Sequence, residues 1–281
     1  HKWGMRQDNT TTRNADNYCC SQTYIDLYNL TPEPKMLTKT IACMNMLVNT
    51  PQVDDWTWID AIQMGMPVLV KLGKLKNDPR YYEKAWEMYA WARNTLAGGL
   101  YNQKEGLWWR DKDFVPPYKE PNGKNCYWSR GNGWVVAALV RVLQDLPADD
   151  PHRDVYIADL QAMCKAAKAC QRKDGFWNVS LHDESNFGGK ETTGTALFVY
   201  GMAWGINNGV LDRKEYLPAT IKAWNAMVTE AVHDNGFLGY VQGTGKEPKD
   251  GQPVTYNSVP DFEDYGTGCF LLAGSEVYKL Q

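Results

Sequence analysis

The sequence predicts an all-α chain of helical hairpins arranged as a toroid. Three observations predict it. Apolar residues recur at helical spacing through most of the 281 residues. A short glycine-centred turn recurs at Gly106-Leu107-Trp108-Trp109, at Asp174-Gly175-Phe176-Trp177 and at Asn235-Gly236-Phe237-Leu238. After each turn, a polar loop leads into a helix that opens on glycine and small residues. These openings are Trp128-Ser129-Arg130-Gly131, Glu191-Thr192-Thr193-Gly194 and Glu263-Asp264-Tyr265-Gly266. Such repeats argue for stacked hairpins with alternating inner and outer helices. An open solenoid is the structural alternative and would show more uniform repeats.

The elements follow in order. Residues 16–28 form the first candidate helix. Thr31 and Pro32 read as a cap and first helical residue of a segment ending near Val48. The third runs from Trp56 to Leu72, with Pro67 expected to bend it by removing a hydrogen bond. Asp78-Pro79 opens the fourth, where Tyr82, Ala85, Trp86 and Tyr89 repeat at helical spacing. Further helices are expected over 131–143, 155–171, 193–204, 214–232 and 265–278. The helices number about nine, fewer than a six-hairpin ring requires, so part of an N-terminal portion is expected to be missing. The chain 1–281 reads as one domain.

Composition excludes several classes. The formal net charge is −3 and there is no basic stripe, so no nucleic-acid partner is expected. No apolar run reaches membrane-spanning length, and no signal peptide is visible in the polar opening His1-Lys2-Trp3-Gly4. The seven Cys show no regular framework, and Cys164 and Cys170 read as helix packing. The four His, His1, His152, His182 and His233, lack metal-ligand spacing, so neither metal nor cofactor is expected. Twelve Trp and sixteen Tyr against seven Phe suit sugar rings, which present apolar faces and polar rims, but also serve a bulky core.

The chemistry concentrates in a few stretches. Asp60, in Trp56-Thr57-Trp58-Ile59-Asp60-Ala61-Ile62-Gln63-Met64, would share a helical face with Trp56, Gln63 and Met64. Desolvation there would raise its pKa and suit it to donate a proton. The structural alternative is a cap or an ion pair with a neighbouring helix. Asp16 is the second acidic candidate, and an N-cap role alone would explain it. Two neighbouring carboxylates could divide acid and base work. Asp55, Asp111 and Asp183 are further acidic candidates, each also explicable as a loop or cap residue. Arg130 between Trp128 and Trp134 could fork onto a carboxylate while an indole stacks on a ring, and Arg110 after Trp108 and Trp109 offers another cation. Two arginines near acids suit an anionic sugar.

Taken together these stretches resemble glycoside hydrolase family 105, the unsaturated rhamnogalacturonyl hydrolases and related unsaturated glucuronyl hydrolases. The matching stretches are Ala15-Asp16-Asn17-Tyr18 with Gln22-Thr23-Tyr24, Trp58 to Pro67, Trp128 to Trp134, Glu191 to Thr195, and Tyr265 to Gly268. The resemblance implies an (α/α)6 toroid and a single catalytic domain over 1–281. It implies hydrolysis of oligosaccharides whose terminal uronic acid carries a C4=C5 double bond. Asp60 would be the proton donor and Asp16 the second active-site carboxylate. Trp128, Arg130 and Trp134, with Arg110, Trp109 and Met64, would bind the substrate. Where the family often has a His, this chain has Arg110, a departure that leaves the sugar and linkage open between pectin and a different glucuronyl-bearing source such as ulvan or arabinogalactan. Two alternatives stay open: an inverting glycosidase on saturated glycans, and an inactive glycan-binding toroid. A bacterial protein of periplasm or cytoplasm, monomeric or a weak homo-oligomer, is expected.

Overall fold

The computed structural model describes residues 3–6, 11–258 and 263–280. His1, Lys2 and the side chain of Glu263 lie outside the described residues. The chain is predominantly helical. Its helices are α1 (Ala15–Tyr18), α2 (Ser21–Leu30), α3 (Thr38–Val48), α4 (Ile59–Lys76), α5 (Arg80–Asn94), α6 (Ser129–Asp145), α7 (Arg153–Ala169), α8 (Thr192–Asn207), α9 (Arg213–Glu230) and α10 (Glu263–Val277). One small antiparallel hairpin pairs β1 (Tyr101–Asn102) with β2 (Leu107–Trp108).

The inner helices stand side by side in chain order. α1 and α2 pack on α4, α4 on α6, α6 on α8 and α8 on α10. The outer helices α5, α7 and α9 back onto α4, α6 and α8. This is the toroidal arrangement of hairpins expected from the repeats. α8 is buried along almost its whole length, from Thr192 to Ile206, as befits a helix that is apolar all round.

The recurring glycine turns join the two layers. Gly106, Gly175 and Gly236 all take positive φ, at +67°, +100° and +85°. A Cβ on Gly106 would stand 2.8 Å from the Ala162 carbonyl of α7, and one on Gly175 2.9 Å from the Lys222 carbonyl of α9. These two turns thus lie directly on the next outer helix, while a Cβ on Gly236 would meet nothing within 4 Å. The strand leaving the turn then meets the start of an inner helix. Ile59 N–H donates to the Arg110 carbonyl (3.0 Å), Ser129 to Val179 (2.9 Å) and Thr192 to Tyr240 (2.9 Å). In each case the acceptor lies the same distance along the chain past its turn glycine.

Three expectations are corrected. The segment 16–28 is two helices, broken at Cys19 and Cys20. Thr31 and Pro32 do not start a helix. Glu33 is held extended before Pro34, a short 3-10 turn follows at Pro34–Met36, and α3 begins only at Thr38. The third helix begins at Ile59 because Trp58 is extended, so Trp56 lies off the face that carries Asp60. The Trp56 indole is fully buried and donates to Tyr18 Oη at 3.1 Å, tying α1 to the segment that leads into α4.

Gly65 on α4 makes room for that indole. A Cβ there would lie 2.7 Å from the Trp56 ring. Gly65→Ala gains about 1 kcal/mol of helix propensity but overpacks a rigid ring at a cost of about 1–3 kcal/mol. A lower unfolding temperature is expected in calorimetry; a raised one would show that Trp56 can shift freely.

Candidate active site

A cavity of about 440 Å³ opens where the inner helices begin. α4 contributes Asp60, Gln63 and Met64, and α6 contributes Arg130, Trp134 and Arg141 with Trp128 just before it. Cys19, Gln22 and Thr23 close it from the α1–α2 side, and Thr244, Gly245 and Tyr265 from the other.

Asp60 lies in the first turn of α4 and is 8% exposed. Its Oδ2 is buried without a hydrogen-bond partner, although Arg110 Nε lies 3.4 Å away. Proximity without a donor aimed at the oxygen gives attraction but little of the directional stabilisation of a bonded pair. Burial therefore dominates and raises the Asp60 pKa above its ordinary value, against the lowering pull of Arg110 and Arg130, with the Asp16 charge adding a small upward push. Arg110 is placed by the Ile59–Arg110 backbone bond and is shared with Asp111 through a 2.7 Å contact from Nη1.

Asp16 occupies the first turn of α1 but does not cap it. Asn14 caps, accepting from the Asp16 N–H at 2.9 Å. The Asp16 side chain lies outside the cavity wall, yet its charge acts on Asp60. Trp109 also lies outside the wall, 5.9 Å from the Tyr127 ring. The remaining acidic candidates have partners of their own. Asp55 is gripped by Arg13 through contacts of 2.7 and 2.5 Å, Asp111 accepts from the Asp113 N–H, and Asp183 accepts from Ser185 and Asn122.

Arg130 sits at the same position in its helix as Asp60 does in α4, one residue past the N–H that bonds the neighbouring strand. Its guanidinium donates to the carbonyls of Gln242 (2.6 Å) and Gly243 (2.8 Å) and lies between the Trp128 and Tyr265 rings. Gln242, fully buried, organises this side. Its side chain accepts from Trp128 Nε1 at 2.8 Å and donates to the Asp250 carbonyl at 2.7 Å, and its carbonyl also accepts from Tyr265 Oη.

Several of the buried polar atoms that lack partners among the described residues lie here, while Trp108 Nε1, Trp109 Nε1 and Ser129 Oγ lie outside the wall. Asp60 Oδ2, Gln63 Oε1, Arg110 Nε and Arg141 Nε lie in or beside the cavity wall. Buried polar groups normally find partners, so the orphaned atoms of Asp60, Gln63 and Arg141 in one wall suit a polar ligand. Sequence reasoning missed Arg141, Gln22, Gln242 and Thr244 as site residues. Arg141 was within reach, because it falls on the helical face of Arg130 and Trp134. Gln242 and Thr244 lie in an aperiodic loop with no comparable signal.

The family model described as Glycosyl Hydrolase Family 88 matches residues 1–281. A curated relative named unsaturated 3S-rhamnoglycuronyl hydrolase, from Formosa agariphila, is 39% identical over 231 residues, covering 80% of this chain and 58% of the relative. The chain thus spans little more than half of that relative's length. A solved structure described as a polysaccharide lyase superposes with a TM-score of 0.92 at 37% identity, covering 100% of this chain and 81% of that one. A family 88 glycosyl hydrolase from Bacteroides vulgatus superposes with a TM-score of 0.91 at 37% identity, covering 100% and 82%. The resemblance read from the sequence is borne out, and solved structures described as possible family 105 members share the fold.

The raised pKa makes a prediction about stability. The folded protein keeps a proton on Asp60 that the unfolded chain releases, so stability falls as pH rises from 3.8 through the folded value. Asp60→Asn never ionises and is expected to unfold at a higher temperature than the parent at about pH 7, with the margin shrinking toward about pH 4. Thermal melts across that range check this; a less stable variant at neutral pH contradicts it.

Proposed function

This chain belongs to glycosyl hydrolase family 88, and from that premise we propose that it hydrolyses oligosaccharides ending in a C4=C5-unsaturated uronyl residue. The observation that carries the reading is Asp60, a carboxyl buried in the wall of a cavity edged by arginines and indoles, where burial pushes its pKa up. The name of the Formosa agariphila relative, an unsaturated 3S-rhamnoglycuronyl hydrolase, agrees with it.

In this reading the Asp60 carboxyl gives its proton to C4. The C4=C5 electron pair forms the new C–H bond, and positive charge spreads over C5 and the ring oxygen. Water adds at C5 and gives up a proton, which restores the acid on Asp60. The hemiketal at C5 then opens to a ketone, freeing the C1 hemiacetal, which collapses and expels the aglycone as an alcohol. The charge of Asp16 helps the cationic stage and is poor company for an ionised Asp60, so it favours both halves of the step. Trp134 and Met64 offer apolar wall to the ring faces, while Arg130 and Arg110 set a positive field suited to an anionic sugar.

A second reading, β-elimination, is favoured by one observation: the 37%-identical solved structure described as a polysaccharide lyase. The two reactions move one signal in opposite directions. A hydrolase consumes the ultraviolet absorbance of the conjugated double bond, and a lyase creates it.

Incubation with lyase-generated oligosaccharides is expected to lower that absorbance. A rise on intact uronate polymers, with none lost on the unsaturated panel, would favour the lyase. Asp60→Asn should stay folded and lose about 100- to 10,000-fold in turnover; near-parental rates would remove Asp60 from the role. The proton donor must be protonated, so activity should fall as pH rises through the Asp60 pKa. Arg110 is the largest lowering influence on that pKa, so Arg110→Gln is expected to move the alkaline limb to higher pH. A limb that stays in place or moves down contradicts the assignment.

A further inference from the structure

We propose that Arg141 holds the carboxylate of the terminal uronyl ring, a specificity role for a residue that the motifs do not mark. The inference rests on the uronyl reading above. Its observation is a cation in the cavity wall that the protein leaves without an anion.

Arg141 shares the cavity-facing side of α6 with Arg130 and Trp134. Its Cα lies about 16 Å further along the helix axis than that of Arg130. Helical side chains lean toward the N-terminus, so its guanidinium reaches back toward the hollow. Arg130 thus stands at the helix start, and Arg141 approaches from beneath.

The protein treats the three arginines differently. Arg110 is answered by Asp111 and stands beside Asp60. Arg130 spends N–H groups on two carbonyls and its faces on two rings. Arg141 donates from Nη1 to the neutral Gln22 side chain at 2.7 Å, its Nε is buried without a partner, and among the described residues it pairs with no carboxylate. A half-buried guanidinium without a counter-charge is costly, and a planar carboxylate matches its fork.

The surroundings hold Arg141 ready. Pro67 lacks the N–H that would bond the Gln63 carbonyl one turn earlier in α4. Gln22 Nε2 supplies that missing donor at 2.7 Å. Its amide is thereby oriented with Oε1 toward Arg141, because the carbonyl requires a donor and the guanidinium an acceptor. The break at Pro67 thus fixes Gln22, and Gln22 aims Arg141.

The test is calorimetric binding of sodium glucuronate and of glucose to the parent, Arg141→Gln and Arg141→Lys at one ionic strength, with thermal melts to confirm folding. Glucuronate should bind the parent more tightly than glucose does. Arg141→Gln should lose roughly 10- to 100-fold in glucuronate affinity, the range for a hydrogen bond to a charged group, with glucose unchanged. Arg141→Lys, which keeps the charge but not the fork, should lose less. If Arg141→Gln does not fold, the lysine variant still decides, because unchanged glucuronate affinity there overturns the proposal. A parent that does not prefer glucuronate, or a preference that survives Arg141→Gln, also overturns it. Glucuronate has no C4=C5 bond, so this outcome is independent of turnover: lost chromophore consumption with an Arg141-dependent preference sinks the activity, and the reverse sinks only this assignment.

Discussion

One backbone hydrogen bond, used three times, sets the geometry on which the site depends. The first N–H of α4, α6 and α8 each donates to a carbonyl of the strand that follows the neighbouring glycine turn. The bond satisfies a helix-start donor that would otherwise lack a partner. It also fixes how the next side chain faces the hollow. That next residue is Asp60 in α4 and Arg130 in α6, both in the cavity wall, whereas Thr193 in α8 turns its hydroxyl to Glu191. The acid and a cation of the candidate site are thus the same position of successive repeats. The strand brings its own side chain with it, which is how Arg110 comes to lie beside Asp60.

The electrostatics follow from that placement. Asp60 is pulled toward ionisation by two arginines and a helix start, and away from it by burial and by Asp16. Burial wins because Arg110 approaches Oδ2 without a hydrogen bond. Had Arg110 aimed a donor at that oxygen, the pair would be a structural ion pair and Asp60 a poor acid. Asp111 therefore matters in its own right, since it takes the Nη1 donor of Arg110. Across the cavity, Gln242 does the corresponding work for Arg130, capturing its donors on backbone carbonyl oxygen without neutralising its charge.

The sequence made much of this legible, for identifiable reasons. The glycine turns could be read because a positive φ and a carbonyl under 3 Å away leave no room for another residue at Gly106 and Gly175. The convergence of Asp60, Trp128, Arg130 and Trp134 could be read because all lie at or near a repeated helix start. The start of α4 could not, because Trp56 is apolar at helical spacing yet is buried before the helix begins. Neither could the start of α3, where two prolines close together delay the helix beyond its apparent cap. The loop that carries Gln242 has no periodicity at all. Its importance comes from contacts to residues far away in the chain, which spacing does not reveal.

The central claim is that Asp60 keeps its proton beyond the ordinary range because it is buried beside a cation that does not bond it. The most direct measurement is a carbon-13 NMR titration of the aspartate carboxyl carbons, with the Asp60 signal assigned by its loss in Asp60→Asn. The account predicts a midpoint above 3.8 that rises further when Arg110 is replaced by Gln. A midpoint at or below 3.8, or one indifferent to Arg110, would contradict it.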